Sequence, residues 1–301
     1  MMNIRTFTWR DMLSILELFH ADQLPLQPRT TDQDVQYALA GQATIDQKWW
    51  ETLAVIRAVV ATQGNDVLGV ASFGIQKKDL FATLQPDGSG CLLWLHAHED
   101  RSVIEALLSA VLTELQECPR IYAFWFATPL TVGIEGLPVA HRPATHQALL
   151  ERHFIGKDDW LYMAGPIVTQ AEQIAEVEKT ARGWTLSLQE GDERIAEATV
   201  SLGKDRLGVL HWLWVREDRR GQGLGTRLFL QARKVLGDAG AQTVLLFVDH
   251  DDPGERDRIP AIRLYQRHGF EVIDHLWSYW RGTPPPWLAT PWPLRLSALR
   301  Q

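Results

Sequence analysis

The sequence predicts an α/β protein built from two copies of one folding unit, and three observations carry that prediction. Short β-rich runs alternate with segments of helical periodicity along the chain. Three blocks of sequence recur in the same order. A run of alternating glycines, Gly221, Gly223 and Gly225, stands where a strand gives way to a helix, in the second copy alone.

The central block LLWLHAHEDRS (92–102) lies over LHWLWVREDRR (210–220), sharing Leu, Trp, Leu, Glu, Asp and Arg. Upstream, VLGVAS (67–72) parallels RIAEAT (194–199), each after a turn, QGND and QEGDE. Downstream, LLERHFIGKDDWLYM (149–163) parallels LYQRHGFEVIDHLWSYW (264–280). The expected organisation is a first copy over 1–164, a connecting helix over 165–183, a second copy over 184–282 and a proline-rich tail over 283–301. The first copy opens with a strand and two helices, for which the second has only the connector. The copies are not equivalent. After Arg101 the first runs straight into a helix without glycines, Leu150 stands where the second copy has Tyr265, and Phe154 alone answers Gly269-Phe270.

At 301 residues the chain has room for two domains, and 46% hydrophobic with 22% charged residues is globular composition. The polar opening MMNIRTFTWRDM does not read as a signal peptide, and no run approaches the ~18 apolar residues of a membrane span. A soluble, cytoplasmic protein without a membrane partner is expected. Cys91 and Cys118 lack metal-ligand spacing, so reduced thiols and no metal are expected. The formal charge of −7 argues against a nucleic-acid partner and suits a cationic one.

The strand over 210–215 gives way to helical spacing from Leu224 through Leu228, Ala232 and Leu236, with Gly237 as the expected C-cap. Backbone N–H groups at a helix start lack internal partners, and the helix dipole favours an anion there. Glycines let an anion approach those groups closely, and Arg219 and Arg220 add charge. These are the ingredients of a pyrophosphate cradle. It is neither G-x-G-x-x-G, because Thr226 follows Gly225, nor a P-loop, because no Gly-Lys-Ser/Thr follows.

VREDRRGQGLG resembles the coenzyme A-binding motif of the GNAT superfamily of N-acetyltransferases, R/Q-x-x-G-x-G/A, filled here by Arg220, Gly223 and Gly225. AIRLYQRHGFEV (261–272) resembles the family's later A-x-x-L-Y-x-x-x-G-F segment, with Ala261, Leu264, Tyr265, Gly269 and Phe270 in place. The resemblance implies two GNAT-like domains in tandem, each a mixed, mostly antiparallel sheet flanked by helices. It is similar to the arrangement of mycothiol synthases, with the N-terminal copy degenerate. It implies acetyl-CoA as co-substrate between two splayed parallel strands. The Val215 backbone would then hydrogen-bond the pantetheine arm, with Leu213 also in the cofactor-binding set. The pyrophosphate would rest on Arg220, Gly221, Gln222, Gly223, Leu224, Gly225 and Thr226.

Acetyl transfer to an amine needs help with two protons. A lysine-like amine with a pKa of about 10.4 is almost wholly protonated at neutral pH, and the leaving thiolate benefits from a donor. By motif position Tyr265 is the general acid, since a phenol with a pKa of about 10 stays protonated. His211 is the first candidate base, because aralkylamine-type members carry histidine on this strand; it is expected on the same face as Leu213 and Val215. Glu197, in mid-strand where the first copy has Val70, is the second candidate base, or simply faces solvent. Asp249, His250 and Asp251 would bind a cationic acceptor or form a solvated acidic loop. Arg258 stands where many relatives have asparagine.

The expected activity is acetyl transfer to the primary amine of a small molecule, with protein amines as alternative acceptors. The reading from a different class is a non-catalytic coenzyme A-binding module. The missing helices of the second copy would have to be replaced, as a wall of the acceptor cleft, by the first half, the tail, or a second chain in a homodimer.

Overall fold

Two helices after the first strand separate the copies at once. In the computed structural model, which describes residues 2–42, 47–77, 88–125, 127–128, 130, 136–249 and 258–283, strand β1 (Asn3–Thr6) leads into α1 (Met12–Ala21) and α2 (Asp32–Leu39). Thr31 and Asp34 start α2 with a reciprocal capping box. There follow α3 (Gln47–Trp50), β2 (Leu53–Gln63), β3 (Asp66–Gln76), β4 (Gly90–His96), α4 (Arg101–Glu114), β5 (Arg120–Ala123), β6 (Leu137–Pro138), α5 (Pro143–Glu151) and β7 (Ile155–Pro166). The second copy repeats the plan without the early helices: β8 (Glu176–Thr180), β9 (Gly183–Glu190), β10 (Glu193–Leu202), β11 (Leu207–Val215), α6 (Leu224–Asp238), β12 (Thr243–Asp249), α7 (Ile259–Arg267) and β13 (Glu271–Gly282).

The chain forms two compact units, residues 1–160 with 274–301 and residues 161–273. In the first unit the strand order is β1-β2-β3-β4-β5-β13. β4 and β5 run parallel, and the other neighbours run antiparallel. Helices α4 and α5 pack on one face around Leu107, Leu108 and Leu149, and α1 and α2 on the other around Ile15, Leu18, Val35 and Trp94. In the second unit the order is β12-β11-β10-β9-β8, with the end of β7 beside β12. Only β11 and β12 of that path run parallel, and one core lies under α6 and α7.

The duplicated turns are the same device. Gln63 pairs with Asp66 and Glu190 with Glu193, leaving two-residue loops that open on Gly64 and Gly191 at φ +61° and +62°.

Three sequence expectations need correction. Residues 165–183 are not a connecting helix: the helix-forming stretch EVEKT is β8, an exposed edge strand made by its backbone ladder from Glu176↔Ser187 to Thr180↔Gly183. Tertiary pairing here overrides local propensity, and the charged side chains suit an edge. The second copy therefore has its first strand and lacks only the two helices, which a turn at Ala181-Arg182 replaces. The compact units also do not follow the repeat boundaries. Leu161–Ala164 of the first repeat join the second unit, and Asp274–Gly282 of the second repeat join the first. Lastly, Gly237 lies inside α6; the helix ends one residue later, and Gly240, at φ +98°, takes the left-handed position.

Candidate active site

The second unit brings the glycine turn, β11 and α7 together around the gap between β11 and β12. The parallel ladder runs from Leu207↔Thr243 to Leu210↔Leu246 and stops there, so the two strands splay beyond Leu210. At the same point β11 carries a bulge: Val200 pairs with Leu210 and Thr199 with Trp212, which leaves His211 as the extra residue.

The bulge moves His211 to the other face. Leu210, Leu213 and Val215 pack on the core under α6, opposite Val200, Ala198 and Ala196. Side chains alternate along a strand, so Glu197, Thr199 and Ser201 share the opposite face with Trp212 and Trp214. His211 is not on the face of Leu213 and Val215, as regular alternation would have it. Its ring is exposed, yet neighbouring protein atoms displace part of its hydration, and that lowers its pKa below the ordinary histidine value. Nε2 lies 2.7 Å from the Ser201 hydroxyl. Sequence reasoning did not name Ser201, although the alternation Glu197-Thr199-Ser201 between buried Ala196, Ala198 and Val200 was readable. Glu197 is half-buried and held by Arg194, not simply in solvent.

The cradle has the backbone its glycines suggest. Gly221 and Gly223 sit at φ +77° and +76°, and a Cβ at either would meet no atom within 4 Å, so conformation rather than crowding selects glycine there. Gly223 is the N-cap of α6 and no side chain closes the helix; its first internal bond is Arg227 N–H to Gly223 O at 3.1 Å. Leu224, Gly225 and Thr226 thus present the orphan N–H groups of the first turn. Gly225 is less constrained, since a Cβ there would touch only Val215 Cγ2 at 3.5 Å. Arg220 turns back, and its Nε donates to the Val215 carbonyl at 3.2 Å, so that oxygen already has a partner. Arg219 is held by Glu190, and Gln222 is exposed.

The first copy closes the same place with its own carboxylate. Asp100 caps α4, accepting from the N–H groups of Ser102 at 2.8 Å and Val103 at 3.1 Å. An anion cannot use a helix start already filled by an aspartate.

Tyr265 lies on the helix side of the sheet, 7% exposed, with its ring edge-on to Phe229 at 5.1 Å. It and His211 therefore lie on opposite faces of the sheet. Asp249 ends β12, while His250 and Asp251 fall outside the described residues, as do 284–301 of the expected tail. Arg258 is the N-cap residue of α7 without a side-chain cap bond. Among the described residues no group of three His, Cys, Asp or Glu is placed to hold a metal, and no helix is long and apolar enough to cross a membrane. Cys91 and Cys118 form no disulfide.

An uncapped glycine start on a helix, next to two parting parallel strands, is a site that can receive an anionic group. Residues 181–272 match the acetyltransferase (GNAT) domain family. Solved structures similar over most of the chain include a tandem GNAT protein from the clavulanic acid biosynthesis pathway. It is 12% identical with a TM-score of 0.59, over 95% of this chain and 99% of that one. A GCN5-related N-acetyltransferase from Sphaerobacter thermophilus is 11% identical with a TM-score of 0.53, over 93% and 95%. A GCN5-related glucosamine N-acetyltransferase region of a fungal multi-domain β-N-acetylglucosaminidase is 11% identical with a TM-score of 0.58. That match covers 93% of this chain but 38% of the other, so the chain spans well under half of that protein. No curated protein sequence matches. The second repeat thus carries the match to the acetyltransferase (GNAT) domain, and the chain shares the fold of the tandem GNAT protein.

Proposed function

We propose that the second unit transfers an acetyl group from acetyl-CoA to the primary amine of a small molecule. The observation that carries this reading is the uncapped start of α6, where left-handed Gly221 and Gly223 leave open space beside the orphan N–H groups. Those groups and the dipole of α6 suit a pyrophosphate, and the gap beyond Leu210 and Leu246 suits the thin pantetheine arm. Bound there, acetyl-CoA supplies an activated acyl thioester. Leu213 and Val215 line the arm from the strand side. Tyr265 acts as general acid toward the departing thiolate. His211, neutral because burial disfavours its charge, takes the amine proton, with Ser201 fixing the ring.

The acceptor comes from the face of Glu197, Thr199, Trp212 and Trp214, which no described helix of the second unit covers. Two indoles favour an ammonium group over an anionic one. A cytoplasmic setting agrees with a reaction that draws on acetyl-CoA.

Calorimetric titration of acetyl-CoA tests the reading. One site per chain is expected, because Asp100 fills the equivalent place in the first copy. Gly223→Val, forced to adopt a left-handed backbone, should weaken binding by about 5- to 30-fold, the left-handed cost being about 1–2 kcal/mol. Tyr265→Phe should keep binding and lower kcat by about 10²- to 10⁴-fold. Retained binding with no turnover on any amine would favour the non-catalytic module, and no binding would remove both readings.

A further inference from the structure

The first unit holds a cavity of about 50 Å³ that the acyl-transfer site does not use. It lies between the α1–α2 connection and the end of β4, where Leu93 repeats the bulge of the second copy: Phe73 pairs with Leu92 and Ser72 with Trp94. Since one water needs about 10–15 Å³ on this measure, the space admits a group of about three to five non-hydrogen atoms.

Every charge at its wall is already matched. Asp22 accepts from His96 Nδ1 at 3.1 Å and the Ala97 N–H at 3.3 Å, with the Arg142 guanidinium at 3.5 Å. Arg142 donates in turn to Glu99 at 2.6 Å, the Leu95 carbonyl at 2.9 Å and Thr145 at 3.1 Å. Neither an ammonium nor a carboxylate ligand has a free counter-charge here. Burial lowers the pKa of His96 and keeps it neutral; with Nδ1–H on Asp22, its Nε2 is an acceptor. Trp94, 1% exposed, has an indole N–H buried without a hydrogen-bond partner, an uncommon and costly state for a donor. The two rings are neighbours, 6.4 Å apart between centroids, and Phe19 stands edge-on to both.

We propose that this cavity binds a small uncharged amide, whose carbonyl takes the Trp94 Nε1–H, whose N–H meets His96 Nε2, and whose apolar end rests on Phe19 and Leu93. An amide presents one acceptor and one donor in a single planar group of the available size. An N-acetylated amine, the product class of the reaction proposed above, is one such compound, but the cavity argument stands without that reaction.

The test uses the full chain, labelled with ¹⁵N, and N-methylacetamide as the probe. The indole N–H resonance of Trp94, identified by its loss in Trp94→Phe, should move downfield saturably with N-methylacetamide. It should stay in place with methylammonium or acetate. Trp94→Phe should weaken probe binding about tenfold, as loss of one hydrogen bond does. If that variant does not fold, sequential assignment of the wild type and Overhauser contacts from the probe's methyl groups to Phe19 give the same reading. A response to methylammonium or acetate in place of the amide would overturn the neutral-ligand assignment. Silence toward all three would leave a water-filled cavity and overturn the site itself.

Discussion

One inserted residue decides which face of β11 carries the chemistry. Without the bulge, His211 would share a face with Leu213 and Val215; with it, the ring meets Ser201 on the side of Trp212 and Trp214. The sequence shows the histidine and the alternation of its neighbours, but a bulge is a property of pairing between strands and leaves no local mark. The resulting environment predicts a pH profile. Burial disfavours the imidazolium, so the His211 pKa falls below the ordinary value of about 6.5 and the base is already neutral at pH 7. On the proposed mechanism, kcat/KM should rise with pH through a limb lying below 6.5 and be flat above it until another group titrates. His211→Gln should remove that limb and lower kcat by about 10²-fold or more, with acetyl-CoA affinity unchanged. A limb that persists in the variant would move the base to another residue, Glu197 first.

At the scale of elements, one glutamine ties the repositioned segment before β8 to α6. Gln231 Oε1 accepts from the N–H groups of Ile174 at 2.9 Å and Ala175 at 3.0 Å, and its Nε2 donates to the Ala175 carbonyl at 2.8 Å. Gln231→Met keeps the volume and leaves these three groups unmet, a loss of about 3 kcal/mol or more, given ~1–3 kcal/mol for each buried group stranded. Chemical denaturation should show a clear fall in the stability of the second unit. Arg227→Ala, which removes only an exposed pair with Glu172, should leave the midpoint where it is. A Gln231→Met midpoint equal to wild type would mean that water satisfies the freed groups. This contact also explains the misread connector. The run from Ala171 to Thr180 has helix-forming composition, yet its backbone is claimed by β9 on one side and its approach is fixed by Gln231. The glycine hairpins and the strand–turn–helix at Gly221–Gly225 were legible because their demands are local: a left-handed backbone, a helix start without a cap. Asp100 capping α4 was legible on the same terms, since an Asp directly before a helix is a local signal.

For the whole molecule, the duplication is plain in the sequence but the closure of each unit is not, because matched blocks do not say which partner strand each will choose. The first unit takes Asp274–Gly282 from the end of the second repeat. Tyr279 pairs with Ala123 and Gly282 with Arg120, while the Asp274 carboxylate accepts from the N–H groups of Ala140 and His141, both at 2.9 Å. Leu276 and Tyr279 are 0% and 1% exposed in that unit. Burial of two such side chains contributes about 1.5–3 kcal/mol each, before the ladder and the Asp274 bonds are counted. Against a typical domain stability of about 5–15 kcal/mol, that loss is enough to unfold a marginal unit. A fragment cut at the repeat boundary, residues 1–164, should therefore lack cooperative thermal unfolding by circular dichroism and show collapsed amide dispersion. Adding a peptide of residues 271–283 should restore a cooperative transition whose midpoint rises with peptide concentration, because the strand binds only the folded form. Residues 161–273, which hold the second unit entire, should fold without any addition. If residues 1–164 instead melt cooperatively at the same temperature with and without the peptide, the first repeat closes on its own last strand, and the exchange of strands is dispensable to its fold.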